Sequence, residues 1–147
     1  MSDWKSDLDD FIRNKERQEK VDEDKLKEIN SKVKEFYSTI VTPTFEELKK
    51  ELEKHQREVQ ISAGHNLASI IVKYEGELEL DYSIKVTVSP KGAYVSQQTH
   101  FRDKSGRTHR AEGYPRSGNQ DYTIYDITKD DIIKNFISEY KTHTQKE

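Results

Sequence analysis

Five histidines, an abundance of carboxylates and scattered serines are the side chains of this chain with the means to bind a metal, move a proton or attack a carbonyl. A metal needs ligands that converge. His55 falls at the end of a predicted helix, His65 in a turn and His143 in the C-terminal tail. His100 and His109 approach each other only if residues 93–114 fold as a hairpin reversed at Lys104-Ser105-Gly106. In that register Asp103 faces Arg107, Phe101 faces His109 and His100 faces Arg110. Alternation then sends the two histidines to opposite faces of the sheet. No two histidines stand at the i, i+4 spacing of a helical zinc site, so no metal is expected.

Acid–base catalysis needs a group whose proton affinity is shifted by burial or by a charged neighbour. Asp121 and Asp126 flank a short predicted strand, and Glu112 lies among basic residues, where solvated carboxylates are the ordinary outcome. The sequence holds no G-x-S-x-G elbow, and its six glycines form neither a dinucleotide nor a phosphate-binding loop. With no cysteine, thiol chemistry, disulfides and thiolate zinc sites are excluded. No cofactor is expected. An enzyme or small-ligand binder would need a cleft between helices and sheet, with His109, Tyr82 and Tyr125 as its polar groups.

Charge is unevenly placed. Residues 1–84 carry fourteen basic and twenty acidic groups, a net −6, whereas residues 85–117 carry seven basic and two acidic, a net +5. The hairpin register puts Tyr94, His100, Arg102 and Arg110 on one solvated face, with Arg107 and Tyr114 beside them. Cations next to tyrosines on an open sheet face can meet phosphates and stack on bases, which makes this a candidate nucleic-acid surface. The same cations can instead pair with the acidic helices, within the molecule or across a homodimer. The overall net charge of −3 lacks the strongly basic footprint of a general nucleic-acid binder.

The N-terminus offers a second surface. Trp4, Leu8, Phe11 and Ile12 form a short apolar stripe at helical spacing, separated from the next stripe by Arg13–Lys20, which contains no apolar residue. Trp4, Leu8 and Phe11 could dock into a partner's groove, or the helix could fold back over the chain's own sheet. The gap predicts a break near Val21–Asp24.

The elements that must position these residues follow from the change of period. Leu26, Ile29, Val33, Phe36, Tyr37 and Ile40 make a second helical stripe, which Thr42-Pro43 is expected to stop. Thr44 and Glu47 then have the spacing of a capping box for a further helix ending near His55–Arg57. From Glu58 the apolar period becomes two. Strands are predicted at Val59–Ile61, Leu67–Tyr74, Leu78–Val88, Ala93–Asp103, Arg107–Tyr114 and Tyr122–Ile127, separated by Glu75-Gly76, Ser89-Pro90-Lys91-Gly92 and a loop at Pro115–Gln120. In the third of these, Leu78, Leu80, Tyr82, Ile84, Val86 and Val88 are expected on the buried face. Thr128 and Asp131 cap a last helix whose apolar face is Ile132, Ile133, Phe136, Ile137 and Tyr140. Thr142–Glu147 is expected to fray.

Helices, then a run of strands, then a helix predict an α+β fold. It is an antiparallel β-meander of four to six strands with N-terminal helices and a C-terminal helix packed on one face. The expectation is a single domain over 1–147: a helical region at 1–57, a sheet at 58–127 and a helix at 128–143. Charged residues make up 36% and hydrophobic ones 31%, yet eight Tyr, five Phe and a net charge near zero argue for a folded chain with a thin core rather than disorder. The acidic start MSDWKSDLDD has no signal-peptide character and the longest apolar run is Ile70-Ile71-Val72, so the cytoplasm is expected and a membrane partner is not. A non-enzymatic protein-interaction or accessory module is the leading expectation, with nucleic-acid binding around residues 94–116 as the alternative.

Overall fold

The computed structural model describes residues 3–103, 105–115 and 123–144. Helix α1 spans Trp4–Phe36, and a π-helical turn at Tyr37–Val41 leads into α2 at Thr42–Glu53. Five strands follow: β1 Glu58–Ala63, β2 Leu67–Tyr74, β3 Glu77–Ser89, β4 Gly92–Arg102 and β5 Thr108–Gly113. Helix α3 closes the chain at Lys129–Thr144. The strands form one antiparallel meander in the order β1-β2-β3-β4-β5.

The turns set this register. Glu75 and Gly76 have φ of 52° and 80°, which is the two-residue geometry that matches the twist of paired strands and places Tyr74 opposite Glu77. At the β4–β5 turn Gly106 has φ of 85°, and Asp103 Oδ1 accepts from Ser105 N at 2.8 Å and Arg107 N at 3.0 Å. The pairs Phe101–His109 and His100–Arg110 are those expected from the sequence.

The core lies between one sheet face and the helices. Val33, Phe36, Phe45 and Leu48 from α1 and α2, and Ile132 and Phe136 from α3, meet Ile70, Val72, Leu80, Tyr82, Ile84, Val86 and Val95. Tyr82 stands at its centre, edge-on to Phe45 and Phe136 at 6.2 and 5.3 Å, and its hydroxyl donates to Asn135 Oδ1 at 2.5 Å. The capping box of α3 forms as expected: Thr128 N donates to Asp131 Oδ2 at 2.9 Å and Asp131 N to Thr128 Oγ1 at 3.2 Å.

Several local expectations are corrected. Helix α1 does not break at Val21–Asp24; Arg13–Lys20 is built from strong helix formers and continues as a solvated helix. Pro43 does not end the helical run. The π turn widens the backbone, Thr42 N donates to Tyr37 O, and the missing proline N–H falls in the first turn of α2, where no partner is required. Thr44 is therefore inside a helix, bonded to Ile40 O at 2.5 Å, and caps nothing.

Within β3, Leu80 pairs with Val72 but Leu78 with Lys73, so Glu79 is the extra residue of a bulge. Leu78 consequently shares a face with Lys73 rather than with the core. In the predicted strand at Tyr122–Ile127, Thr123 makes a single bridge to Tyr94 and 124–126 form a turn. Tyr122, Lys104 and most of the Pro115–Gln120 loop lie outside the described residues.

Candidate functional site

Two surfaces stand apart from the core. The first is the N-terminal half of α1. Asp3 caps the helix through Ser6 N at 3.3 Å, and every side chain from residue 3 to residue 21 is exposed. Trp4 and Phe11 are each 64% exposed, with Leu8 and Ile12 also open to solvent. The stripe does not fold back over the sheet. At 1.5 Å per residue, Trp4–Val21 is a rod of roughly 27 Å with every side chain open to solvent. Asp3, Asp7 and Asp10 recur at i, i+4, i+7 and so form a ridge immediately beside Trp4, Leu8 and Phe11.

The second surface is the sheet face opposite the helices. Alternation on β4 points Ala93, Val95, Gln97, Thr99 and Phe101 inward and Tyr94, Ser96, Gln98, His100 and Arg102 outward. The cross-strand row Ile71–Asp81–His100–Arg110 and its neighbour Ser69–Ser83–Gln98–Glu112 carry this face over four strands. Arg110 donates to Glu112 at 2.9 Å. His100 Nδ1 stands 3.9 Å from Asp81 Oδ2, and burial raises the Asp81 carboxyl against the opposing pull of His100. Ser69 and Ser83 share a 2.7 Å hydrogen bond. Lys73, Lys85, Arg102 and Arg107 make no ion pair among the described residues.

The residues singled out from the sequence thus fall into two groups. Tyr94, His100, Arg102 and Arg110 do share one exposed face. Arg107 sits in the adjoining turn, and Tyr114 just beyond β5, where its carbonyl accepts from Asn135 Nδ2 at 3.3 Å. Trp4, Leu8 and Phe11 form the separate stripe on α1.

The proposed cleft residues do not come together. Tyr82 is fully buried, Tyr125 lines a surface hollow of about 230 Å³ with Phe36, Ile40, Ile124 and Ile127, and His109 is held by Asp103 at 2.7 Å. That histidine keeps the Asp103 carboxyl well below the usual range. A second hollow of about 280 Å³, between α2 and α3, is floored by Leu48, Leu52, Ile133 and Ile137. Among the described residues no three His or carboxylate side chains converge as a metal site.

Two clusters escape sequence reasoning. Glu79, turned inward by its bulge, receives Arg57 Nε at 3.0 Å and the Tyr140 hydroxyl at 2.5 Å. Arg57 also lies 3.9 Å over the Tyr74 ring. Burial, and then the Glu79 carboxylate, push the Tyr140 hydroxyl up to about 12. Phe101 is sandwiched between His109 at 5.4 Å and His143 at 3.9 Å, with Glu139 holding His143 at 2.8 Å. This stack keeps α3 helical to Thr144, past the fraying point expected from the sequence. Both clusters join elements across the core side and read as structural ties.

No family model matches this chain, and no solved structure matches it. No helix among the described residues is long and apolar enough to cross a membrane. A glycine betaine transporter of Acinetobacter baylyi is 26% identical over 103 residues, which cover 70% of this chain and 16% of the transporter. The chain is therefore similar to about a sixth of the length of the curated relative it matches.

Proposed function

We propose that this protein is a non-enzymatic interaction module, an accessory or regulatory unit that engages a protein partner through the free half of α1. The observation that carries this reading is the unpartnered stripe Trp4, Leu8, Phe11 and Ile12 on a helix that projects from a body already closed around its own core. Large apolar side chains grouped on one exposed ridge are uncommon on monomers and are the usual anchors of helix-in-groove recognition.

The test is an affinity capture from native lysate, with nuclease, comparing the wild type with a Trp4→Ser/Phe11→Ser double variant. A stoichiometric protein held by the wild type and lost from the variant, at equal thermal midpoints, supports the reading. Capture indifferent to the double variant removes the arm from the function.

A second reading, nucleic-acid binding, is favoured by the register that aligns Tyr94, His100, Arg102 and Arg110 on one exposed face. It requires salt-dependent binding of a single-stranded oligonucleotide that Arg102→Glu with Arg110→Glu abolishes. Binding unchanged by that reversal ends it.

A further inference from the structure

We infer that the partner of the free helix is a second copy of this chain, whose open sheet face receives the acidic and apolar ridges of the arm. The inference rests on the interaction reading above and names its partner.

Charge complementarity is the first argument. The tip of the arm, residues 3–12, presents Asp3, Asp7, Asp9 and Asp10 against Lys5, and none of these carboxylates is in an ion pair among the described residues; Arg13, Lys15, Arg17 and Lys20 follow beyond the apolar stripe. The open face presents Lys73, Lys85 and Arg102, with Arg107 at its rim, likewise without ion pairs among the described residues. Of the carboxylates on that face, Asp81 and Glu112 are already turned to His100 and Arg110, and Glu58 stands opposite Lys73 without an ion pair among the described residues. The acidic tip of the arm and the cations of the face that make no ion pair are opposite in sign.

Shape and apolar character agree with charge. The Asp3-Asp7-Asp10 ridge runs directly beside Trp4-Leu8-Phe11, so a helix laid on the sheet with its apolar ridge down brings its acidic ridge to the cations alongside. Beneath it lie half-buried Ile71 and Leu78, exposed Leu67 and exposed Tyr94. Five strands about 4.8 Å apart make a platform roughly 19 Å wide, within the reach of the roughly 27 Å rod.

The contact cannot form within one molecule. Val33 and Phe36 anchor the other end of α1 on the helix-covered side of the sheet. Residues 3–36 contain neither proline nor glycine, so the helix has no built-in kink to carry it around an edge to the opposite face. Reciprocal exchange between two copies uses each arm and each face once and closes as a twofold dimer.

The experiment is light scattering and sedimentation of the whole chain at low salt and about 100 µM, where a dimer held partly by charge is favoured. The wild type is expected to be a dimer. Asp7→Lys/Asp10→Lys and Arg102→Glu/Arg110→Glu should each weaken it by at least about tenfold in dissociation constant, with unchanged circular dichroism showing that both fold. An equimolar mixture of the two variants should restore the dimer, because each altered arm then meets an altered face of opposite sign. A monomeric wild type overturns the inference. So does a dimer that neither reversal weakens, or reversals that a mixture fails to rescue, or a monomer that binds a single-stranded oligonucleotide through Arg102 and Arg110. Where the wild type is monomeric yet Trp4 and Phe11 still govern capture of another protein, only the second copy is lost and the interaction reading stands.

Discussion

The two halves of α1 have the same backbone and opposite energetics. From Leu26 onward the helix turns apolar residues into the body, and Val33, Phe36 and the following Tyr37 are buried, with the Tyr37 hydroxyl donating to Ile84 O at 3.1 Å. Burial raises that hydroxyl well above its ordinary value. Among the described residues, the helix from Trp4 to Val21 is held by its own hydrogen bonds, its Asp3 cap and pairs such as Gln18 to Asp22 at 3.0 Å. Isolated helices of that length are marginal in water. The contrast separates what makes a helix from what makes a fold: propensity extends the rod, but burial alone anchors it.

The largest predicted difference comes from truncating the same residue type in each half. Phe36→Ala removes a buried ring and should cost about 3–4 kcal/mol. Phe11→Ala, measured dilute enough for the chain to be monomeric, should change stability by less than about 0.5 kcal/mol. Chemical denaturation measures both, and equal losses would show that the arm is docked on its own body.

Glu79→Ala tests whether the far side of the body depends on polar ties as well as on packing. Removing the acceptor of Arg57 and Tyr140 should cost about 2 kcal/mol by the same measurement. A neutral result would leave the bulge with no energetic role.

Smaller again is the contribution of the Thr128 cap, where Thr128→Ala should lower stability by about 1 kcal/mol. The pH dependence of the Tyr140 tie is smaller still. Tyr140 titrates higher in the folded chain than in the unfolded one, so its neutral form favours folding. That stability is complete below pH 10 and is lost as pH rises towards about 12. Tyr140→Phe should flatten this part of the pH–stability curve, while the arm variant Phe11→Ala should leave it unchanged.

Most of the sheet was legible from local chemistry. Alternation marked the strands, Glu75-Gly76 and Gly106 supplied the positive φ values that the reversals need, and the resulting register placed Phe101 opposite His109 and His100 opposite Arg110. The exposed face that holds Tyr94, His100, Arg102 and Arg110 followed from that register alone. What escaped were features set by distant partners. Glu79 looked solvent-facing because alternation is counted along one strand, whereas a bulge is decided by how two strands pair. Pro43 looked like a stop because a π turn, which absorbs the missing N–H, has no local signature.

By itself the sequence determined periodicity, turn chemistry, capping at Thr128 and the charge asymmetry between residues 1–84 and 85–117, since each depends on residues a few positions apart. Tertiary structure alone decided that the apolar ridge of α1 stays free of the body and that His143 stacks on Phe101 at 3.9 Å. These outcomes depend on which surfaces remain unpaired once the core has closed. That is a property of the assembled shape, and no window of the chain contains it.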